Sequence, residues 1–146
     1  MNPQVEQYKS MIGQHLNHHS PIAELLNPKL LAVEEGMLEA ELLIKPSMAN
    51  AMGILHGGIV ALIMDEILGA VTFTFGEETF YATSNLNIHF LAMTNIGDKV
   101  VATANVVKKG RRIVFVEAKL LSHDRKKVIA SATADLVPTS VAVPKL

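Results

Sequence analysis

The segment His56-Gly57-Gly58-Ile59-Val60-Ala61-Leu62-Ile63-Met64-Asp65-Glu66-Ile67-Leu68-Gly69-Ala70-Val71-Thr72 is apolar almost all the way round a helix. A helix of that kind is surrounded by protein or by lipid. Asp65 and Glu66 interrupt the apolar run 57–75 at its centre, and central charges are costly in a bilayer. The segment therefore reads as the buried helix of a soluble domain, with no membrane partner. After it, residues 80–91, 99–108, 112–122 and 127–137 read as strands. Gly97-Asp98, Lys109-Gly110-Arg111 and His123-Asp124 supply the turns. The last three strands, on short connections, predict an antiparallel meander. Before the helix, Leu38, Ala40, Leu42 and Ile44 alternate with Glu39, Glu41, Leu43 and Lys45, a half-buried strand closed by Pro46. Residues 30–33 form a shorter strand, and 47–55 a loop containing Asn50 and Gly53. One long helix against five or six antiparallel strands is an α+β layout.

At the N-terminus, Val5, Tyr8, Ile12 and Leu16 recur at helical spacing. Ser20-Pro21 reads as an N-cap followed by proline at the first helical position, and that helix ends before Pro28. Residues 1–28 are thus a helical segment of a single domain spanning 1–146. From Pro138 onward periodicity is absent, and residues 139–146 are expected to form a loose tail. Apolar residues make up 49% of the chain, enough for a sizeable core, and the net charge of -1 argues against a dedicated nucleic-acid binder. The absence of cysteine excludes disulfides, thiolate zinc sites and a Cys nucleophile. It also suits a cytoplasmic protein. The opening MNPQVEQYKS lacks the basic-then-apolar pattern of a signal peptide. His15, His18 and His19 read as a solvated helix end rather than a metal site, so no metal is expected.

The chemistry concentrates around the start of the central helix and its middle. Gly57 and Gly58 open the helix. Its first N–H groups have no internal partner and lie at the positive end of the helix dipole, a natural place for an oxygen that gains negative charge. The same glycines are also explained by tight packing of helix on sheet. Asp65 lies within an apolar helix, where a carboxylate is expensive without partners. Either it marks the one wet edge of that helix, or it is buried and tuned for work as a base or nucleophile. Glu66 points about 100° away and reads as structural. His56 and Asp65 are nine residues apart, about 13 Å along a helix. They reach one reacting carbon only if a second subunit supplies one of them, and a two-fold dimer then holds two sites.

Asn50, then His56-Gly57-Gly58, then Asp65 resembles the signature of the PaaI-like branch of hotdog-fold acyl-CoA thioesterases. The similarity runs from about Ser20-Pro21-Ile22 to Val137. It includes Thr83 in Tyr81-Ala82-Thr83-Ser84, then Asn87-Ile88-His89-Phe90-Leu91, Gly97-Asp98, and the basic hairpin Lys109-Gly110-Arg111-Arg112.

The resemblance implies a hotdog fold, an antiparallel sheet wrapped around the long helix, and hydrolysis of an acyl-CoA thioester. It implies Asp65 as catalytic carboxylate, acting as base or nucleophile, with Thr83 assisting it. The Gly57 N–H would polarise the carbonyl, with Gly58 beside it, and Asn50 and His56 would orient the thioester or water. Asp65 and Thr83 would come from one subunit and Asn50, His56 and Gly57 from its partner, in a dimer or a dimer of dimers. Coenzyme A would be part of the substrate, with no separate cofactor. Its phosphates would meet the hairpin carrying Lys108, Lys109, Gly110, Arg111 and Arg112, whose side chains singly also read as a solvated tip. Two rivals share the fold: an enoyl-thioester hydratase, which uses its His and carboxylate in another order or at longer spacing, and a non-catalytic acyl-CoA sensor, which is expected to lack the carboxylate. The order of His56, the glycines and Asp65 favours hydrolysis.

Overall fold

In the computed structural model, which describes residues 2–16 and 20–144, alternation of buried and exposed side chains, clearest on the fifth strand, accompanies a single sheet. Its strands are β1 (Lys29–Glu34), β2 (Met37–Leu43), β3 (Thr79–Phe90), β4 (Lys99–Lys109), β5 (Val114–Ser122) and β6 (Val128–Ala142). They run antiparallel in the order β1-β2-β4-β5-β6-β3. The helices are α1 (Pro3–Lys9), α2 (Pro21–Leu26) and α3 (Gly57–Thr72). On β5 the inner face is Val114, Val116, Ala118 and Leu120, and the outer face includes Phe115, Glu117 and Lys119. Two inner rows under the helix are mostly small: Leu38, Ala104, Ala118 and Ala132 lie side by side, as do Ala40, Ala102, Leu120 and Ala130. Small side chains let α3 lie close, so the sheet curves round it as the hotdog arrangement requires. Val60, Ile63, Met64, Ile67, Leu68 and Val71 of the helix complete this core.

The four strands after α3 and the meander β4-β5-β6 fall where alternation places them. Two expectations fail. The first helix stops at Lys9 instead of running to Leu16. Gly13 adopts a left-handed φ of 86°, and residues 13–16 instead bond to the rim of β1, with Gly13 N–H on Leu30 O (2.8 Å) and Leu16 N–H on Pro28 O (2.8 Å). The anticipated loose tail is also wrong as far as residue 142. β6 continues past Val137, with Pro138 opposite Tyr81 and Ala142 opposite Thr79. β5 begins at Val114, opposite Leu136, so beyond that point β6 has β3 alone as neighbour and the missing N–H of Pro138 can face away from the ladder. Thr139 Oγ1 donates to Phe80 O (2.7 Å). Residues 145 and 146 lie outside the described residues, as do His18 and His19; His15 Nδ1 donates to the Asn27 carbonyl (2.9 Å).

The C-terminal end of α3 is fixed by Thr74, a fully buried polar side chain. Its Oγ1 donates to Val71 O (2.6 Å) and accepts from Gly36 N–H (2.9 Å) in the β1–β2 turn. Asn2 Nδ2 donates to the Thr74 carbonyl (2.8 Å), so the N-terminal segment is tied to the same point. Thr74→Val keeps the shape and leaves the Gly36 N–H without its acceptor, which costs about 1–3 kcal/mol. Urea unfolding should show a loss of that size for Thr74→Val and a smaller one for Thr74→Ser, which keeps the hydroxyl.

Candidate active site

Asp65 is exposed in the single chain, on the open flank of α3. That flank also carries Gly58, Ala61, Leu62 and Gly69, at i, i+3, i+4 and i+11. The helix is therefore not surrounded within one chain; its apolar residues continue round a side that the sheet does not cover. Asp65 has one direct side-chain partner among the described residues. Thr83 Oγ1 donates to Asp65 Oδ1 at 2.8 Å. The second carboxylate oxygen is left for other work.

Thr83 reaches the helix because of a bulge. Thr83 pairs with Leu136 and Leu86 with Ala134, so three residues of β3 span what two span on β6. Leu136 and Ala134 both face the core, and directly opposed residues share a face. Without the extra residue, Thr83 and Leu86 would point to opposite sides. Ser84 is the residue inserted, and its Oγ donates to Asp135 O (3.1 Å). Beyond the bulge Leu86, Ile88 and Phe90 face α3, while Asn85, Asn87 and His89 face outward.

The helix start is built by His56, which is the N-cap. Its Nδ1 accepts from Gly58 N–H (2.7 Å), and its carbonyl accepts from Ile59 and Val60. An Nδ1 that accepts carries no proton, so in the neutral ring Nε2 bears it and is presented outward as a donor. A Cβ on Gly58 would sit 3.0 Å from that Nδ1, so glycine at 58 makes room for the cap rather than for helix–sheet packing. The Gly58 N–H is thereby occupied. The Gly57 N–H has no hydrogen-bond partner among the described residues. Asn50 Oδ1 accepts from Met52 N–H (2.9 Å) and Ile54 N–H (3.3 Å), which holds the loop and leaves the Asn50 NH2 as a donor. The start of α3 thus gathers three donors: Gly57 N–H, His56 Nε2 and Asn50 Nδ2. They lie over the far end of β3, since a Cβ on Gly57 would contact Phe90 at 3.5 Å. Asp65 lies over Thr83. The helix is unbroken between, so one chain separates its donors from its carboxylate by about 13 Å.

The basic hairpin lies at the Thr83 end of the sheet. Val114 opposes Leu136, and Leu136 opposes Thr83, so at roughly 4.8 Å per strand the base of the hairpin is about 10 Å away. Its residues divide. Lys109 is engaged, with Nζ 2.8 Å from Glu77 and 4.2 Å from the centre of the Phe75 ring. Lys108, Arg111 and Arg112 are exposed. At Gly110 a Cβ would sit 2.8 Å from the Ile113 carbonyl, so its part is to let the hairpin turn.

The thioesterase superfamily model matches residues 52–129, a span that contains His56, Gly57, Asp65, Thr83 and the hairpin. The chain belongs to the thioesterase superfamily. It is similar to human acyl-coenzyme A thioesterase 13, 27% identical over 101 residues, covering 69% of this chain and 72% of the relative. It is also similar to a putative esterase of Pseudomonas aeruginosa, 30% identical over 122 residues, covering 82% and 90%. Among solved structures, the E. coli PaaI protein from the phenylacetic acid degradation operon superposes with a TM-score of 0.83 at 17% identity, covering 98% of this chain and 99% of that one.

Glu66, expected from the sequence to be structural, faces away from Asp65. Its helix face also carries Ile63, Ile67, Ala70 and Phe73, and these line a cavity of about 760 Å³ enclosed with the inner faces of β2 and β4 and residues of α1 and α2. The space is open at its rim, where Gln7, Glu77 and Glu78 are exposed. An acid standing on an otherwise apolar helical stripe was the signal for it. Burial, and then the neighbouring Asp65 charge, push the Glu66 carboxyl above the ordinary glutamate value. A raised folded-state pKa means that the stability tied to this group is fully present below the unfolded value, about 4.3, and is lost as pH rises through the folded value. Glu66→Gln removes that loss. Thermal unfolding followed by circular dichroism should show the difference in Tm, variant minus parent, growing from pH 4 to pH 7.5; a difference constant across that range would contradict the shift.

Proposed function

We propose that the enzyme hydrolyses acyl-CoA thioesters at sites shared between two subunits, with Asp65 of one and the start of α3 of the other acting on the same carbonyl. The observation that carries this is the Thr83–Asp65 hydrogen bond on the open flank of α3. It sits on the same helix as a cluster of unengaged donors that cannot reach it. The free edge of β3 supports the shared site. At the other edge, β1 is bonded to residues 13–16, whereas β3 is twelve residues long with one side unpaired among the described residues. A long unpaired edge is a template for a second copy. Antiparallel pairing of β3 with its partner's β3, centred near Leu86 and Asn87, sets Thr83 opposite the partner subunit's Phe90. Since Gly57 lies over Phe90 and Asp65 over Thr83 within each chain, that pairing brings Asp65 to the partner's helix start. It also covers the open flank of α3 between Gly58 and Asp65 and the exposed Phe90, Leu91 and Met93.

In this arrangement the Gly57 N–H meets the carbonyl oxygen as it gains charge, and Asn50 Nδ2 and His56 Nε2 hold the thioester or the water as donors. Asp65 either removes a proton from water or attacks the carbonyl carbon directly; both need it ionised and aimed, and the Thr83 hydroxyl aims it. The CoA thiolate then leaves, and on the direct-attack route water next hydrolyses the acyl–Asp65 anhydride, releasing the acid and restoring Asp65. The CoA phosphates fit Lys108, Arg111 and Arg112, which have no ion-pair partner among the described residues, better than Lys109, which is engaged. Acyl-CoA thioesterase 13 bears a name for the same activity.

Asp65→Asn keeps the shape and removes the base or nucleophile. General-base assistance contributes about 10²–10⁴-fold, so kcat for thiol release from acyl-CoA should fall at least that far while CoA still binds. Mixing Asp65→Asn subunits with Asn50→Ala subunits should restore part of the activity, because one of the two sites in a mixed dimer carries neither lesion. Exchange of subunits without any recovery would refute the shared site.

Charge removal at Lys108, Arg111 or Arg112 should raise KM for CoA esters with kcat nearly unchanged, the pattern of lost uniform binding. Lys109→Met should change KM least. Steady-state kinetics at low salt checks this order.

A further inference from the structure

The cavity bordered by Glu66 has no role in the chemistry above, and its position suggests one. Its deep wall is Leu38, Leu42, Ile63, Ile67 and Ala102, all buried. Among the described residues no Lys, Arg or His lines it. Three carboxylates do: Glu66, Glu77 and Glu78. Such a wall disfavours phosphates, free acids and any other anion, and suits a neutral apolar chain; roughly 300–1,000 Å³ is the ordinary range for ligand pockets of this apolar kind. An apolar amine is the other ligand that three carboxylates admit, but Glu77 is already paired with Lys109.

Helix geometry links the cavity to Asp65. At about 100° per residue, Gly69 and Leu62 fall between the Asp65 direction and the Glu66 direction on the α3 surface. A Cβ on Gly69 would find nothing within 4 Å. The surface of the helix between the catalytic carboxylate and the cavity is therefore open at Gly69, where any larger side chain would stand in the way.

We propose that this cavity receives the acyl chain of the thioester, which crosses α3 over Gly69 and passes Glu66, and that the enzyme is selective for medium- and long-chain saturated acyl groups over acetyl and aryl groups. This rests on the thioesterase reading and adds the class of acyl substrate to it.

The test uses the full-length protein and two variants. Gly69→Leu obstructs the crossing without entering the core, and leucine is a better helix former than glycine. Ala70→Leu reduces the cavity itself. The readout is the ratio of kcat/KM for dodecanoyl-CoA to that for acetyl-CoA. The parent should favour dodecanoyl-CoA, and each variant should lower the ratio at least tenfold. A parent preferring acetyl- or phenylacetyl-CoA, or a ratio that neither variant moves, overturns the assignment. Binding separates this from failure of the thioesterase reading. Calorimetry with Asp65→Asn protein should show dodecanoyl-CoA binding more tightly than free CoA, with that advantage lost on adding Gly69→Leu. If the parent hydrolyses no acyl-CoA but the advantage is present and is lost in this way, the hydrolytic reading fails and the cavity stands. If dodecyl-amine competes for the cavity and dodecanoyl-CoA does not, the cavity takes an amine and the proposal fails.

Discussion

Helix α3 is apolar on every side, and one six-stranded sheet covers only part of its circumference. Leaving the remainder in water gives up burial energy of roughly 25 cal/mol per Å². The inner rows of alanine let the sheet close on one side of the helix. Thr74 and Asn2 fix its far end against the β1–β2 turn and the N-terminal segment. The uncovered flank is where Asp65 stands, and beside it runs the unpaired edge of β3. In the proposed dimer, a second copy seated on that edge would satisfy the helix, the strand and the chemistry together.

The same helix divides its work along and around its length. At its start, His56 uses Nδ1 to cap the helix, occupying the Gly58 N–H and leaving the Gly57 N–H free. Midway, Asp65 takes a hydroxyl donor from β3. A hundred degrees further round, Glu66 turns toward an apolar cavity. Neighbouring carboxylates in a chain thus face two environments, and the Asp65 charge adds to the effect of burial on Glu66. Two acids with environments that differ in this way need not share a role.

Much of the fold was legible in the chain because alternation and helical periodicity report burial directly. β4 begins at Lys99 and β5 ends at Ser122, as the pattern indicates, and α3 begins one residue after the cap. What failed was local and had local causes. Ile12 and Leu16 continue the spacing of Val5 and Tyr8, but Gly13 breaks the helix and the following backbone bonds to β1. The tail lacks a pattern because past Leu136 β6 has one neighbour, so one-sided burial no longer enforces alternation. In the candidate site, Asp65, His56 and Gly57 stood out as candidates because their types and spacing are chemical. The division of the basic hairpin was not, since only packing sets Lys109 between Glu77 and Phe75.

By itself the sequence determined that one apolar helix must be wrapped by antiparallel strands, that its first N–H groups and its central acid lie about 13 Å apart, and that both are placed by its helical period. Tertiary structure decided whether those groups could work. The bulge at Ser84 turned Thr83 toward Asp65, and a bulge depends on the register between two strands rather than on the composition of either. The strand order left β3 at the edge, and the curvature of the sheet left a cavity behind Glu66. These are properties of space between elements, and a periodicity along the chain carries no record of them.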